Sequence, residues 1–484
     1  MIKKIIIILN EDEFYDDAQL LARSFFVQGE IERKKEEYKK EDGFKPVKTV
    51  EISSDSETCT LNLNALVPVA GIDHLTRGQV HDLFKRAMYK DISAATGKTL
   101  PWGFLTGVKP AKWITEIMRK NPGADENTVR KKFETMYMVR PDKSRLAYEV
   151  AKNEEKILGE RLKDKGFSIY VGIPFCPSIC DYCSFGSVPV DSCGKDKVEE
   201  YLEALFDEIE KTAVLIKDKY EKASCVYVGG GTPTILLPEQ IEGLLACISN
   251  NFNPERDIEY TFEAGRPDSI SKEKLEVLKK YGVNRISINP QSMNEDTLQR
   301  IGRNHSEEDI FKAFEIARDM GFDNINTDII LALPGEGPAE VEKTAEKIRR
   351  LAPDSLTVHS LAIKRAAVMT RDVFAETLTG EDMERMAGSV VALADDMEMK
   401  PYYMYRQQNM AGNLENVGYA KKGKESLYNI VIMEEVQDII AMGAGASSKF
   451  IYENGRIERA INVKSINDYI SRSDEMIERK RRLL

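Results

Sequence analysis

Between residues 168 and 363 a short β-rich run is followed by a stretch of helical periodicity six times over, and few chain topologies accommodate such a repeat. The runs are SIYVGIPF (168–175), CVYVGGG (225–231), EYTFEAG (259–265), RISINPQS (285–292), NINTDIILALP (324–334) and SLTVHSLAI (355–363). Spacers such as KVEEYLEALFDEIEKTAVLIKDKY, SKEKLEVLKKYG and HSEEDIFKAFEIARDMG carry apolar residues at three- and four-residue intervals. This alternation predicts parallel strands joined by right-handed helical crossovers. Six units make an incomplete (βα)6 barrel the expected architecture, with an open doubly wound sheet as the alternative. Chemistry in such barrels gathers at the C-terminal ends of the strands, where Cys176, the glycines after Val228, Glu263, Gln291, Asp328 and His359 all fall.

The flanks read differently. At 484 residues the chain is too long for one ordinary domain. In residues 1–165, KKIIIILN reads as a strand, and DDAQLLARSFFVQ, QVHDLFKRAMYKDISAATG and SRLAYEVAKNEEKILGERLKDK read as helices; this stretch is expected to be an α+β accessory domain. The barrel is assigned to 166–375. A smaller C-terminal α+β region, 376–484, is expected to cover the substrate: a helix over GEDMERMAGSVVALADDMEM, then a loop-rich stretch, then the glycine-rich MGAGASSKF.

The formal net charge of -11 speaks against nucleic acid or an anionic membrane as the main partner. The basic ERKRRLL terminus reads as a solvated helix end. The apolar run in MIKKIIIILNEDEF stops at Asn10, so neither a signal peptide nor a membrane span is expected, and a cytoplasmic monomer is. His74 and His81, seven apart, would share a helix face without a third metal partner; His305 at a helix start would be solvated; His359 would alternate into the barrel site.

The first run leads into IPFCPSICDYCSFGS, which sets Cys176, Cys180 and Cys183 four and three residues apart, while the other four cysteines are scattered. A disulfide framework does not look like this. Structural zinc takes four ligands, and no second pair lies at zinc-like spacing; Cys193, ten residues on, reads as structural. Three thiolates in C-x3-C-x2-C can each hold one iron of a [4Fe-4S] cube, leaving the fourth iron open to another ligand. The GGGT after Val228 is not followed by Gly-Lys-Ser/Thr, so it is not a nucleoside-triphosphate loop.

The pairing of YVGIPFCPSICDYCSF with YVGGGTPT resembles the radical S-adenosylmethionine (SAM) superfamily. The further segments FEAGRPDS, RISINPQSMNEDTLQRIGRNH, TDIILALPGE, LTVHSLAIKRA and NLENVGYA are similar to the oxygen-independent coproporphyrinogen III dehydrogenases (oxidases), and LPWGFLTGVKP and INPQSMN to their HemZ-type branch. The resemblance implies that Cys176, Cys180 and Cys183 ligate the cluster and that SAM chelates the open iron. It places Tyr182 against the adenine, Tyr170 near SAM at the cluster, and Gly230, Gly231 and Thr232 at the SAM amino group. Glu263, Gln291, Arg303 and Asp328 would hold ribose and carboxylate; Arg303 suits the latter because its fork reaches both oxygens.

The implied reaction is oxidative decarboxylation of two coproporphyrinogen III propionates to vinyl groups, giving protoporphyrinogen IX in haem biosynthesis, with an unidentified electron donor and acceptor. Propionate cations would come from Arg266, Lys364, Arg365 or Arg406. The alternatives are another radical SAM reaction on a tetrapyrrole, such as methylation with haem ring opening, and a non-catalytic haem chaperone. Two positions depart from the patterns: Gly172 replaces a histidine in the strand before the cluster, and Glu415 stands where the chaperones carry a histidine that could ligate haem.

Overall fold

A computed structural model describes residues 4–9, 11–26, 30–34, 50–52, 57–63, 74–106, 109–163, 165–362, 369, 378–407 and 410–484. The chain divides into two compact units, one from Met1–Glu149 and Tyr405–Glu415, the other from Val150–Thr370, Leu378–Met404 and Asn416–Leu484.

In the first unit, β1 (Lys4–Ile8) is flanked by β2 (Glu30–Lys34) and by β4 (Thr58–Asn62), both parallel to it, while β3 (Val50–Ile52) runs antiparallel to β4. The helix α1 (Tyr15–Phe25) lies between β1 and β2 in the chain, and α2 (Arg77–Thr96), α3 (Pro110–Lys120) and α4 (Glu126–Tyr137) follow the sheet. A Thr76–Gln79 capping box starts α2, satisfying amides that have no partner within the helix. Ile5, Ile7, Phe14, Leu21, Phe84 and Met88 form a dry core. His74 precedes this capping box, so it shares no helix face with His81; the His81 ring instead bonds Asp17 and packs 5.0 Å from Phe14.

The helix α5 (Pro141–Arg161) leads into the second unit, and all six expected strands are there. They are β5 (Phe167–Ile173), then, after the short pair β6 (Phe175–Cys176) and β7 (Val188–Pro189), β8 (Ala223–Gly230), β9 (Glu259–Glu263), β10 (Arg285–Ser287), β11 (Ile325–Leu331) and β12 (Ser355–Ser360). They lie side by side in that order, every pair parallel. The helices α6 (Val190–Cys193) and α7 (Lys195–Ile216) join β7 to β8. Each later crossover is helical too: α8 (Pro238–Phe252), α9 (Lys272–Lys280), α10 (Glu295–Arg300) with α11 (Glu307–Asp319), and α12 (Pro338–Leu351). Both β5 and β11 are buried at every position but one, as a parallel strand covered on both faces requires, although β11 carries the polar run Asn326, Thr327 and Asp328.

The partial barrel is extended at both edges. After α13 (Gly380–Asp396), the stretch expected to be loop-rich instead contains β13 (Lys400–Tyr405) and β14 (Asn416–Ala420), the latter antiparallel to β12. Past α14 (Leu427–Glu434), β15 (Ile439–Met442) runs parallel to β5, and β16 (Ser447–Ile451) and β17 (Ile457–Ile461) follow antiparallel. The chain closes with α15 (Ile466–Ser471) and α16 (Ser473–Arg481). Here the solvated-end reading fails at one residue. Lys480 is fully buried and pairs with Glu208 of α7, whose carboxylate also accepts from Asn462 Nδ2 (2.7 Å), the Gly443 amide (2.8 Å) and the Tyr469 hydroxyl. Burying such a pair requires that its remaining polar atoms be hydrogen-bonded, as both Glu208 oxygens are here. Among the described residues no helix is long and apolar enough to cross a membrane.

Candidate cofactor site

The three-cysteine loop leaves β5 through Pro174 and returns at Val188, whose amide bonds the Pro174 carbonyl at 2.9 Å; β6 and β7 pair across its base. Within it, the Cys183 amide donates to the Cys180 carbonyl (2.9 Å), making a tight turn. Two bonds tie the loop to the turn after α10: Asp181 N to Ile301 O (3.1 Å) and Ser178 Oγ to Gly302 O (3.3 Å). Cys180 is buried and the other two thiols half-buried. Burial pushes the Cys176 and Cys183 thiols up, and each feels the charge of Cys180. Among the described residues no group of three or more His, Cys, Asp or Glu side chains could hold a metal ion. The three loop thiols could each offer one thiolate to a corner of a four-iron cube.

The tip of β8 is sewn to this loop. The Gly231 amide donates to Ile173 O and the Thr232 amide to Phe175 O, both at 2.7 Å, and Thr232 Oγ1 lies 3.6 Å from Cys176 Sγ. Gly230 has φ +110°, and a β-carbon on Gly231 would sit 2.5 Å from Phe175 O and 3.0 Å from Cys176 Sγ. Only glycine permits that approach.

Across the neighbouring strand ends, Glu263 accepts from the Tyr227 hydroxyl. Burial raises its carboxyl to about 7; the Tyr227 bond works against this and the charge of Asp328 adds to it. Asp328 behaves oppositely. Burial would raise it, but His359, with Nε2 at 3.8 Å, and the Asn326 amide at 2.7 Å hold it below the usual carboxylate range. His359 therefore does turn towards the site. Gln291 is buried at φ +67°, a left-handed conformation that costs a non-glycine residue about 1 kcal/mol or more, and its Oε1 has no partner. Arg303, 5% exposed, donates to Asn289 O and to the Tyr182 hydroxyl (3.1 Å), while its Nε has no partner. The expected cofactor residues are thus distributed over the loop (Tyr182), mid-β5 (Tyr170), the end of β8 and the turn after it (Gly230, Gly231, Thr232), the end of β9 (Glu263), the segment after β10 (Gln291) and mid-β11 (Asp328), with Arg303 following α10.

Several residues were not anticipated. Tyr227 lies in register with Tyr170, and both stack with Tyr428, with ring centroids 4.4 Å apart for Tyr227–Tyr428 and 5.9 Å for Tyr170–Tyr428. The sequence signal was there for Tyr227, because Tyr170 and Tyr227 each stand two residues before a glycine in matched strands; Tyr428 lies far along the chain. Gly172 fits this arrangement: a β-carbon there would approach Tyr170 Cε1 at 3.3 Å. His305, expected to be solvated, is instead 5% exposed with neither ring nitrogen bonded. Burial, helped by the Arg303 charge, lowers its pKa to about 4.

The propionate candidates fare differently. Lys364 and Arg365 lie outside the described residues. Arg406 is buried in the first unit, with Nη1 on Leu105 O (2.6 Å) and Nη2 on Asn413 Oδ1 (2.7 Å). Arg266 is 3% exposed and bonds Asp268 and Ser178. Neither is a surface charge awaiting a carboxylate.

A model of the radical SAM superfamily matches residues 170–348. The chain is 40% identical over 394 residues to the oxygen-independent coproporphyrinogen-III oxidase-like protein HemZ of Bacillus subtilis (strain 168), covering 80% of this chain and 78% of that protein. It is 34% identical over 304 residues to the heme chaperone HemW of the same organism, covering 63% and 75%. Among solved structures, coproporphyrinogen III oxidase (HemN) from Escherichia coli aligns with a TM-score of 0.48 and 22% identity, over 67% of this chain and 73% of that one.

Proposed function

Because the chain belongs to the radical SAM superfamily, in its oxygen-independent coproporphyrinogen-III oxidase-like family, we propose that it decarboxylates two propionates of coproporphyrinogen III to vinyl groups. The superfamily's cofactors are a [4Fe-4S] cluster and SAM, which when bound supply a 5'-deoxyadenosyl radical by one-electron cleavage of SAM. In this reading each round takes one hydrogen atom from a propionate β-carbon, releases CO2 and passes one electron to an acceptor. Two rounds yield protoporphyrinogen IX.

The chain's own residues have three tasks. Cys176, Cys180 and Cys183 offer thiolates to the cluster. Gly230, Gly231 and Thr232 present backbone where an ammonium group must approach closely, Tyr170 lies near SAM at the cluster, and Tyr182 supplies a ring face to the adenine. Glu263, Gln291 and Asp328 accept from ribose hydroxyls, and Arg303 faces the carboxylate. The observation that carries the reading is the stitching of the three-thiol loop to the β8 tip through Gly231 and Thr232.

A haem-chaperone reading gets little support from residue 415. Glu415 accepts from Trp102 Nε1 (2.9 Å) and pairs with Lys143, all three buried in the first unit, so it is occupied within the protein. The test is anaerobic incubation with coproporphyrinogen III, SAM, a strong reductant and an electron acceptor. Protoporphyrin IX after oxidation, with two CO2 per tetrapyrrole, is expected. Steady formation of 5'-deoxyadenosine with coproporphyrinogen untouched would overturn the substrate, and tight stoichiometric haem binding without turnover would favour the chaperone.

A further inference from the structure

Arg266 follows β9 in the segment EAGRPDS and is almost wholly enclosed, at 3% exposure. Its guanidinium is divided between two targets. Nε and Nη2 grip the Asp268 carboxylate at 3.0 and 2.8 Å, while Nη1 reaches the iron–sulfur loop, at 3.0 Å from Ser178 Oγ and 3.9 Å from Cys180 Sγ. Ser178 also holds the turn after α10, so Arg266 grips the loop where it is anchored. Arg303 is a second described arginine that interacts with this thiol, while also bonding Asn289 and Tyr182.

We infer that Arg266 is a positioning residue for the cluster loop, fixing the middle thiolate and raising the cluster's reduction potential. Reduction adds one negative charge to the cluster. A fixed cation directed at one of its thiolate ligands, in a site closed to water, favours the reduced state, as do hydrogen bonds to ligand sulfur. Asp268 offsets only part of this: its side chain is 29% exposed against 4% for Arg266, so water screens the anion more than the cation.

The inference rests on the reading that Cys176, Cys180 and Cys183 hold the cluster, and the experiment separates the two. Full-length wild type, Arg266→Gln, Arg266→Lys and Asp268→Asn are reconstituted anaerobically with iron and sulfide, assayed for iron, and titrated by EPR for the cluster midpoint. Iron-replete Arg266→Gln should have a midpoint lower by at least the 59 mV that marks a tenfold change in a one-electron equilibrium. Arg266→Lys should fall less, and Asp268→Asn, which leaves the cation uncompensated, should rise. If Arg266→Gln does not load iron, Asp268→Asn decides: a raised midpoint supports the inference and an unchanged one overturns it. Iron-replete Arg266→Gln with the wild-type midpoint overturns it alone. A wild type that takes up no four-iron cluster sinks the underlying reading, and the inference with it.

Discussion

Single side chains carry the sharpest consequences. Alanine at Cys176, Cys180 or Cys183 should abolish iron loading and SAM cleavage, whereas Cys193→Ala, on the short helix after the loop, should spare both; iron analysis and a SAM-cleavage assay of the four variants check this. Glu263 offers a pH test. Its folded carboxyl titrates at about 7 rather than 4.5, so it keeps its proton where a free carboxyl has lost it. A raised folded value stabilises the fold fully below the unfolded value, and that contribution fades as pH climbs through 7. SAM binding runs the other way if ribose hydroxyls need the ionised form: affinity should rise roughly tenfold between pH 6 and 8, following the ionised fraction. Glu263→Gln should flatten that profile, as calorimetric titration can show; a profile as steep as the wild type's would remove Glu263 from the site. The thiol spacing pointed to a cluster directly, whereas the roles of the glycines and carboxylates at the strand ends rested on the resemblance. The enclosure of His305 and Lys480 was not legible in the sequence, since burial of a polar group depends on neighbours hundreds of residues away, as with Glu208 and Lys480.

At the scale of elements, the β8 tip is where geometry tolerates least. Gly231→Ala pushes a methyl group into the Phe175 carbonyl, so the strand end and the loop must part. Iron loading and SAM affinity should each fall by tenfold or more, about 1.4 kcal/mol. The matched control is Gly243→Ala in α8, where the nearest atom is a Phe206 ring carbon at 3.6 Å and the helix gains up to about 1 kcal/mol. Equal effects of the two would show that the stitching is not what positions the loop. The parallel strands and helical crossovers of the barrel followed from alternation, yet the reading overran β10. It ends at Ser287, because Pro290 has no amide to continue the ladder and Gln291 turns left-handed. It also missed β13 to β17: runs of four to six residues give too short a period to register.

For the second unit as a whole, α16 is fastened to α7 by the Lys480–Glu208 pair. Lys480→Met should therefore leave a buried carboxylate uncompensated and cost about 3–5 kcal/mol, read as a lower urea midpoint. Adding Glu208→Gln should recover part of that loss; a single variant as stable as wild type would show that the pair does not hold this end. The sheet order has its own consequence, which concerns time. The strand that leads into the cysteines, β5, borders β8 on one side and β15 on the other, and β15 begins roughly 270 residues after β5 ends. At ~5–20 residues per second a ribosome needs tens of seconds to deliver that second neighbour. For that interval β5 presents one row of unanswered amides and carbonyls, and the nascent chain depends on whatever shields that edge until Ile439–Met442 emerges.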